Sequence, residues 1–250
     1  MSPHFLLFLV AGATAGGLVN GLAGFGTALF SLGFLLQVIP PPEAVAVVVV
    51  MSITSGIQGL VVVREGIVAN PGRLARFLVP AFIGVPFGTA ILAVISAGTL
   101  KITIALFLML YGAFFVARRS LPHFERPTPL IDCLIGLSGG VLGGAASLSG
   151  ALPTMWCAMR PWTKMEQRAV LQPFNVAVLA LTTTVLALKG TYTPHVLLLV
   201  VIAVPVAMIA AQIGIIIYHR LTDEQFRRLI IALMFVSGVL LFAREALAFA

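Results

Sequence analysis

Ionisable side chains are the scarcest material in this chain. Only 9% of its 250 residues are Asp, Glu, Lys or Arg, where a soluble domain carries roughly 25%, so most of its surface cannot face water. Acid is rarer still, at 8 Asp and Glu in all. Asp132, Glu43, Glu65, Glu125, Glu166, Asp223, Glu224 and Glu245 fall near segment ends or in loops, which excludes a carboxylate proton relay of the usual kind inside a span. The 2 cysteines, Cys133 and Cys157, lie in or beside apolar segments without CxxC spacing, so neither a disulfide framework nor a zinc site is expected. No cofactor and no metal is expected. Apolar residues are abundant instead: 60% of the chain is hydrophobic and its mean hydropathy is +1.12. The composition predicts an all-α polytopic membrane protein. Its net charge of +7 is read as Lys and Arg at headgroups and in cytoplasmic loops, with no nucleic acid as partner. The N-terminal stretch lacks a basic n-region and stays apolar past Ala15, so it is read as a retained membrane segment.

Apolar stretches at 43–63, 74–97, 102–117, 169–188, 195–218 and 229–247 come close to or reach the roughly 17 to 25 residues a crossing needs. Two others carry glycine-rich interruptions. Residues 4–39 are interrupted by Asn20-Gly21-Leu22-Ala23-Gly24-Phe25-Gly26, and residues 131–160 by Gly143-Gly144-Ala145-Ala146-Ser147-Leu148-Ser149-Gly150. The arms 131–142 and 150–160 reach only about 16 to 18 Å, roughly half of a ~30 Å hydrocarbon layer, which suits a re-entrant hairpin turning near the midplane. The first hairpin, with arms of about 24 and 20 Å, is open between two full crossings and a re-entrant pair.

Loop charge decides the parity. If each hairpin returns to its own side, Arg64, Arg73 and Arg76; Arg118, Arg119 and Arg126; Arg160, Lys164 and Arg168; and Arg220, Arg227 and Arg228 share one face, leaving Lys101, Lys189 and Arg244 on the other. Single crossings would split the 15 basic residues eight against seven. The positive-inside rule favours the first arrangement, with both termini outside and the Arg-rich loops in the cytoplasm. The chain also repeats. Aligning Ala15–Leu29 with Ser138–Leu152 at an offset of 123 places identical residues at Gly16, Gly17, Gly21, Ala23, Ala28 and Leu29, and Pro80 then aligns with Pro205. Further on, Ile104, Gly112, Ala117 and Arg118 align with Ile230, Gly238, Ala243 and Arg244. Duplication combined with the parity predicts two inverted-topology repeats, each a Gly-broken hairpin followed by three transmembrane helices. The first repeat is 1–119, a cytoplasmic linker covers 120–130, and the second repeat is 131–250.

The Gly-rich end of the first arm, the loop Pro40-Pro41-Pro42-Glu43-Ala44 and the run Trp162-Thr163-Lys164-Met165-Glu166-Gln167-Arg168-Ala169-Val170 resemble the TauE/SafE family of sulfite and organosulfonate exporters over essentially the full length. The resemblance implies a transporter of small sulfur-containing anions in the cell (inner) membrane. It is not an enzyme on this reading.

The breaks offer chemistry that suits such cargo. Helices restarting at Thr27 and Gly150 would aim unsatisfied N–H groups, with roughly half a positive charge each, at a shared centre. Glycines such as Gly24, Gly26 and Gly150 let backbone approach a ligand, while Asn20, Thr27, Ser147 and Ser149 can hydrogen-bond its oxygens without burying a full positive charge. Gln172 and Asn175 flank Pro173 in the segment after the second hairpin, where a backbone carbonyl is freed, and rank above Gln58 as further contacts. Any single Ser or Gly also suits ordinary tight helix packing. Arg168 is read as a positive-inside anchor at the rim, and Trp156 and Trp162 as interface aromatics. The expected partners are a small anionic substrate and the lipid bilayer, with a homodimer left open. Two rival functions are a passive anion channel of the same architecture and an intramembrane serine protease built on Ser149 with His195 as base.

Overall fold

The computed structural model describes residues 2–69, 71–96, 98–100, 102–103, 106, 124, 128–226, 228–229 and 232. The expected helices 102–117 and 229–247 lie mostly outside the described residues, as do 120–123 and 125–127 of the linker 120–130, Lys101, Arg118, Arg119, Arg227 and Arg244, while the linker's last two residues, Pro129 and Leu130, belong to a helix. Among the described residues eight helices form and no strand: α1 (Pro3–Ala23), α2 (Thr27–Leu35), α3 (Pro41–Ala69), α4 (Pro71–Leu92), α5 (Pro129–Ala146), α6 (Ala151–Ala158), α7 (Lys164–Leu188) and α8 (Pro194–Arg220). All but α2 and α6 are long and apolar enough to cross a membrane.

Local chemistry sets the helix starts. Pro3, Pro41, Pro71, Pro129 and Pro194 each open a helix, because proline's fixed φ suits the first turn and its missing N–H would lack a partner there anyway. The start of α7 is built differently. Thr163 Oγ1 accepts from the Glu166 N–H while the Glu166 carboxylate accepts from the Thr163 N–H, a reciprocal cap. That cap opens α7 at Lys164 rather than at the expected 169 and carries Arg168 into the helix.

The glycine-rich interruptions are narrower than expected. α1 continues through Asn20 and Gly21 to Ala23, and α5 continues through Gly143 and Gly144 to Ala146, leaving breaks at 24–26 and 147–150. Gly140 and Gly144 lie against the Ala81 and Val85 carbonyls of α4, and this close packing offsets the roughly 1 kcal/mol that glycine costs a helix. The outgoing arms have 21 and 18 residues, about 31 and 27 Å long, and the returning arms have 9 and 8, about 14 and 12 Å. The arms of each hairpin are therefore unequal, and α2 is too short to cross a ~30 Å layer.

Close contacts fix the direction of each helix. Gly17 and Gly21 of α1 lie against Ala207 and Ala211 of α8, and Gly136, Gly140 and Gly144 of α5 against Phe77, Ala81 and Val85 of α4, so both pairs run parallel. The approach is tight: a Cβ on Gly21 would stand 1.9 Å from the Ala211 carbonyl oxygen. In lipid, where burying apolar surface between helices gains nothing, such small-residue contact supplies the packing. α3 runs antiparallel to α7, with Gly56 against Val176 and Gly66 against Ala169. α4 runs parallel to α7: Arg73 pairs with Glu166, the Phe77 and Phe174 rings are 6.5 Å apart, and Lys189 Nζ donates to Thr89 O at 2.9 Å. The end of α8 returns to the start of α7, where Lys164 Nζ donates to the Tyr218 and Leu221 carbonyls. Since α1 follows α8 while α5 follows α4 and α7, α1 and α5 point in opposite directions.

The same contacts sort the charges. Arg73, Arg76, Arg160, Lys164 and Arg220 gather where α4, α5 and α7 start and α6 and α8 stop. Lys189 lies at the other end with Glu43, whose carboxylate is 3.2 Å from His195 Nδ1.

Candidate functional site

The two breaks are built alike. Gly24 (φ +83°) and Ser147 (φ +58°) both take the left-handed conformation directly after a helix, and their N–H groups donate to Asn20 O at 2.7 Å and Gly143 O at 2.9 Å. They are 123 residues apart, the offset at which Ala15–Leu29 aligns with Ser138–Leu152. Gly26 is also left-handed, at φ +96°, so the first break uses glycine twice where Cβ sterics would be costly. The breaks touch each other. A Cβ on Gly150 would stand 2.6 Å from the Phe25 Cβ, so Phe25 of the first break lies directly on the second.

Both returning helices start without a side-chain cap, at Gly26 and Gly150. Their ends are not equal. The Ala151 N–H already donates to Leu148 O at 3.2 Å, and Pro153 contributes no N–H, so α6 offers fewer donors than α2.

α7 lays one face across both breaks, through Arg168, Gln172 and Asn175 at i, i+4 and i+7. Gln172 Nε2 donates to Gly56 O at 2.9 Å, its Oε1 accepts from Arg168 Nε at 3.3 Å, and that same Oε1 lies against Gly24. Asn175 Oδ1 accepts from Ser149 Oγ. Asn20 Nδ2 donates to Ser52 O at 3.0 Å and Ser55 Oγ at 3.3 Å, tying the first break to α3. Thr27 turns its methyl against Gly16 of α1. Asn20, Thr27, Ser147, Ser149, Gln172 and Asn175 are all buried. Asn20 Oδ1, Thr27 Oγ1, Ser147 Oγ and Asn175 Nδ2 are buried without a hydrogen-bond partner, as is Gln58 Oε1. Buried polar atoms are ordinarily satisfied, so the first four leave hydrogen-bonding capacity at the breaks.

Arg168 is not the rim anchor expected. It is 1% exposed, and its guanidinium donates to Gly21 O at 2.7 Å and Leu22 O at 3.2 Å, the last turn of α1. The same group lies 4.2 Å over the Tyr218 ring. Thus a full positive charge is buried at the first break, contrary to the expectation that neutral donors alone would serve. The Thr163-Lys164-Met165-Glu166 cap was the signal that could have placed Arg168 inside the helix. Trp156 is likewise buried, at the charged end of the bundle: its Nε1 donates to Asp132 Oδ1 at 2.7 Å, and Arg160 lies 3.4 Å from the same oxygen. Trp162 is partly buried under Arg73, 4.3 Å from its ring.

The arrangement is that of a helical multi-pass membrane protein organised around two adjoining helix breaks, and Ser149 and His195 form no dyad with each other, since Ser149 bonds Asn175 and His195 pairs with Glu43. The chain belongs to the sulfite exporter TauE/SafE family, whose model matches residues 8–241, and the resemblance drawn from its motifs is borne out. No curated protein and no solved structure matches it.

Proposed function

We propose that this protein is a secondary carrier that moves small sulfur-containing anions, of sulfite or organosulfonate type, across the plasma membrane by alternating access. Its repeats, 1–119 and 131–250, have inverted topology, and each re-entrant hairpin directs the N-terminus of its returning helix at an anion held in the interior. The opposite directions of α1 and α5 and the equivalent left-handed turns at Gly24 and Ser147 support the inversion. The described basic residues at one end of the bundle support a cytoplasmic assignment for that end and an outside N-terminus. The observation that carries the reading is the set of unpartnered buried donor groups on Thr27, Ser147 and Asn175 at two breaks in contact. An oxyanion there would accept from Thr27, Ser147 and Asn175 and from the α2 N–H groups, with Gly24, Gly26 and Gly150 permitting close approach.

An inside-negative potential drives anion exit by about 2.3 kcal/mol per charge for each ~100 mV, so export needs no carboxylate relay. Purified protein in liposomes held at set potentials tests this with sulfite, thiosulfate and sulfoacetate. Saturable, voltage-accelerated flux with counterflow is expected. Flux that never saturates and shows no counterflow would identify a passive channel, and flux indifferent to voltage would remove the proposed driving force.

A further inference from the structure

Five facts about Arg168 do not follow from a role in packing alone. Its guanidinium is almost fully buried, and among the described residues it belongs to none of the ion pairs, which are Arg73–Glu166, Arg160–Asp132, His195–Glu43 and Arg228–Glu224. Its hydrogen-bond partners are neutral oxygens: Gly21 O, Leu22 O and Gln172 Oε1. The repeat offset of 123 pairs Arg168 with Val45, so the charge is present in one half only. And its stem lies on the first break, where a Cβ on Gly24 would stand 3.3 Å from Arg168 Cγ.

A unit charge buried among neutral dipoles is only partly compensated, because a helix C-terminus offers roughly half an elementary charge. A planar guanidinium also matches the paired oxygens of an oxyanion better than it matches separate carbonyls. Resting on the carrier reading above, we propose that Arg168 is the counter-charge of the transported anion, exchanging the Gly21 and Leu22 carbonyls for two anion oxygens when the protein loads. Loading then neutralises the buried charge and frees the end of α1 from α7. The anion that binds best is compact and presents at least two oxygens on one face. A lysine would keep the charge and lose the fork.

The test compares wild type, Arg168→Gln and Arg168→Lys. Initial sulfite flux is measured against concentration in liposomes, and the thermal midpoint in detergent is measured with and without sodium sulfite. Sulfite should raise the wild-type midpoint, because a ligand that binds only the folded state stabilises it. Arg168→Gln should raise the KM for sulfite roughly tenfold or more and abolish the sulfite-dependent shift, and Arg168→Lys should raise KM to an intermediate value with kcat retained. A role limited to capping α1 would lower the midpoint of Arg168→Gln while leaving KM and the sulfite shift as in wild type, and that result overturns the assignment. Should Arg168→Gln fail to fold, Arg168→Lys decides alone: an unchanged KM overturns the fork. Wild-type protein that neither carries sulfite nor is stabilised by it overturns the carrier reading and this assignment together. Saturable wild-type flux with unaltered variants overturns the assignment only.

Discussion

The two helix breaks occupy matching places in the chain and are held in opposite ways. At the second, the Ser147 and Leu148 N–H groups return to Gly143 O and Leu142 O at 2.9 and 3.1 Å, so the end of α5 is closed by its own backbone in a Schellman-like turn. At the first, Gly24 closes on Asn20 O, but the Gly21 and Leu22 carbonyls are held by Arg168, 147 and 146 residues away on α7. The bases of the hairpins differ as well. Asp132, Trp156 and Arg160 clamp the second with buried charge, and Arg160 reaches Phe124 O at 2.9 Å and Thr128 Oγ1 besides. The first is held by apolar contact, with Phe8 and Phe34 rings 6.3 Å apart, and by one hydrogen bond from Ser31 Oγ to Gly12 O at 2.8 Å. The turn of the second break is thus closed within its own half, whereas that of the first is finished by the other half. Its shape therefore depends on where α7 sits.

Three substitutions break or sharpen that contrast. The largest effect is expected from Asp132→Ala, which leaves the Arg160 charge and the Trp156 N–H buried without their carboxylate and should cost about 3–5 kcal/mol. Denaturant unfolding in detergent measures it, and a loss below about 1 kcal/mol would show that the clamp behaves as a surface pair. Next comes Gly24→Ala, which adds a Cβ to a backbone at φ +83° and places it 2.6 Å from Gln172 Oε1. The strain and the displaced glutamine should together cost about 2 kcal/mol, and sulfite flux should fall with stability because Gln172 carries Arg168 with it. Smallest is Ser147→Gly at the equivalent position, which relieves the left-handed strain and should stabilise by about 1 kcal/mol. If Ser147 Oγ is a ligand, that variant melts higher yet transports with a raised KM. A variant that melts higher with transport unaltered removes Ser147 from the site.

Much of this was legible from residue order. The membrane setting follows from hydropathy, the offset of 123 places the equivalent turns at Gly24 and Ser147, and both breaks fall inside the glycine-rich stretches that mark them. The expected breaks were too wide because glycine's low helix propensity is a local quantity, and it yields where a neighbouring helix packs against the glycine, as α4 does at Gly140 and Gly144. Asn20, Ser149, Gln172 and Asn175 could be nominated as polar residues in apolar segments, since an unpartnered polar group in hydrocarbon is costly and must turn inward. Their partners could not, because Ser52, Gly56 and Ser55 lie on a helix whose rotation is set by packing.

Arg168 marks the boundary between the two kinds of knowledge. Composition, hydropathy and the spacing of glycine and proline determined that this chain lives in a bilayer and within which stretches its helices are interrupted, because each of these is a property of a short window of residues. Which break is closed by its own backbone and which by a buried guanidinium was decided only by the tertiary structure. The reason is that burial of a charge depends on what surrounds it in space, and the carbonyls that surround Arg168 come from the opposite half of the chain.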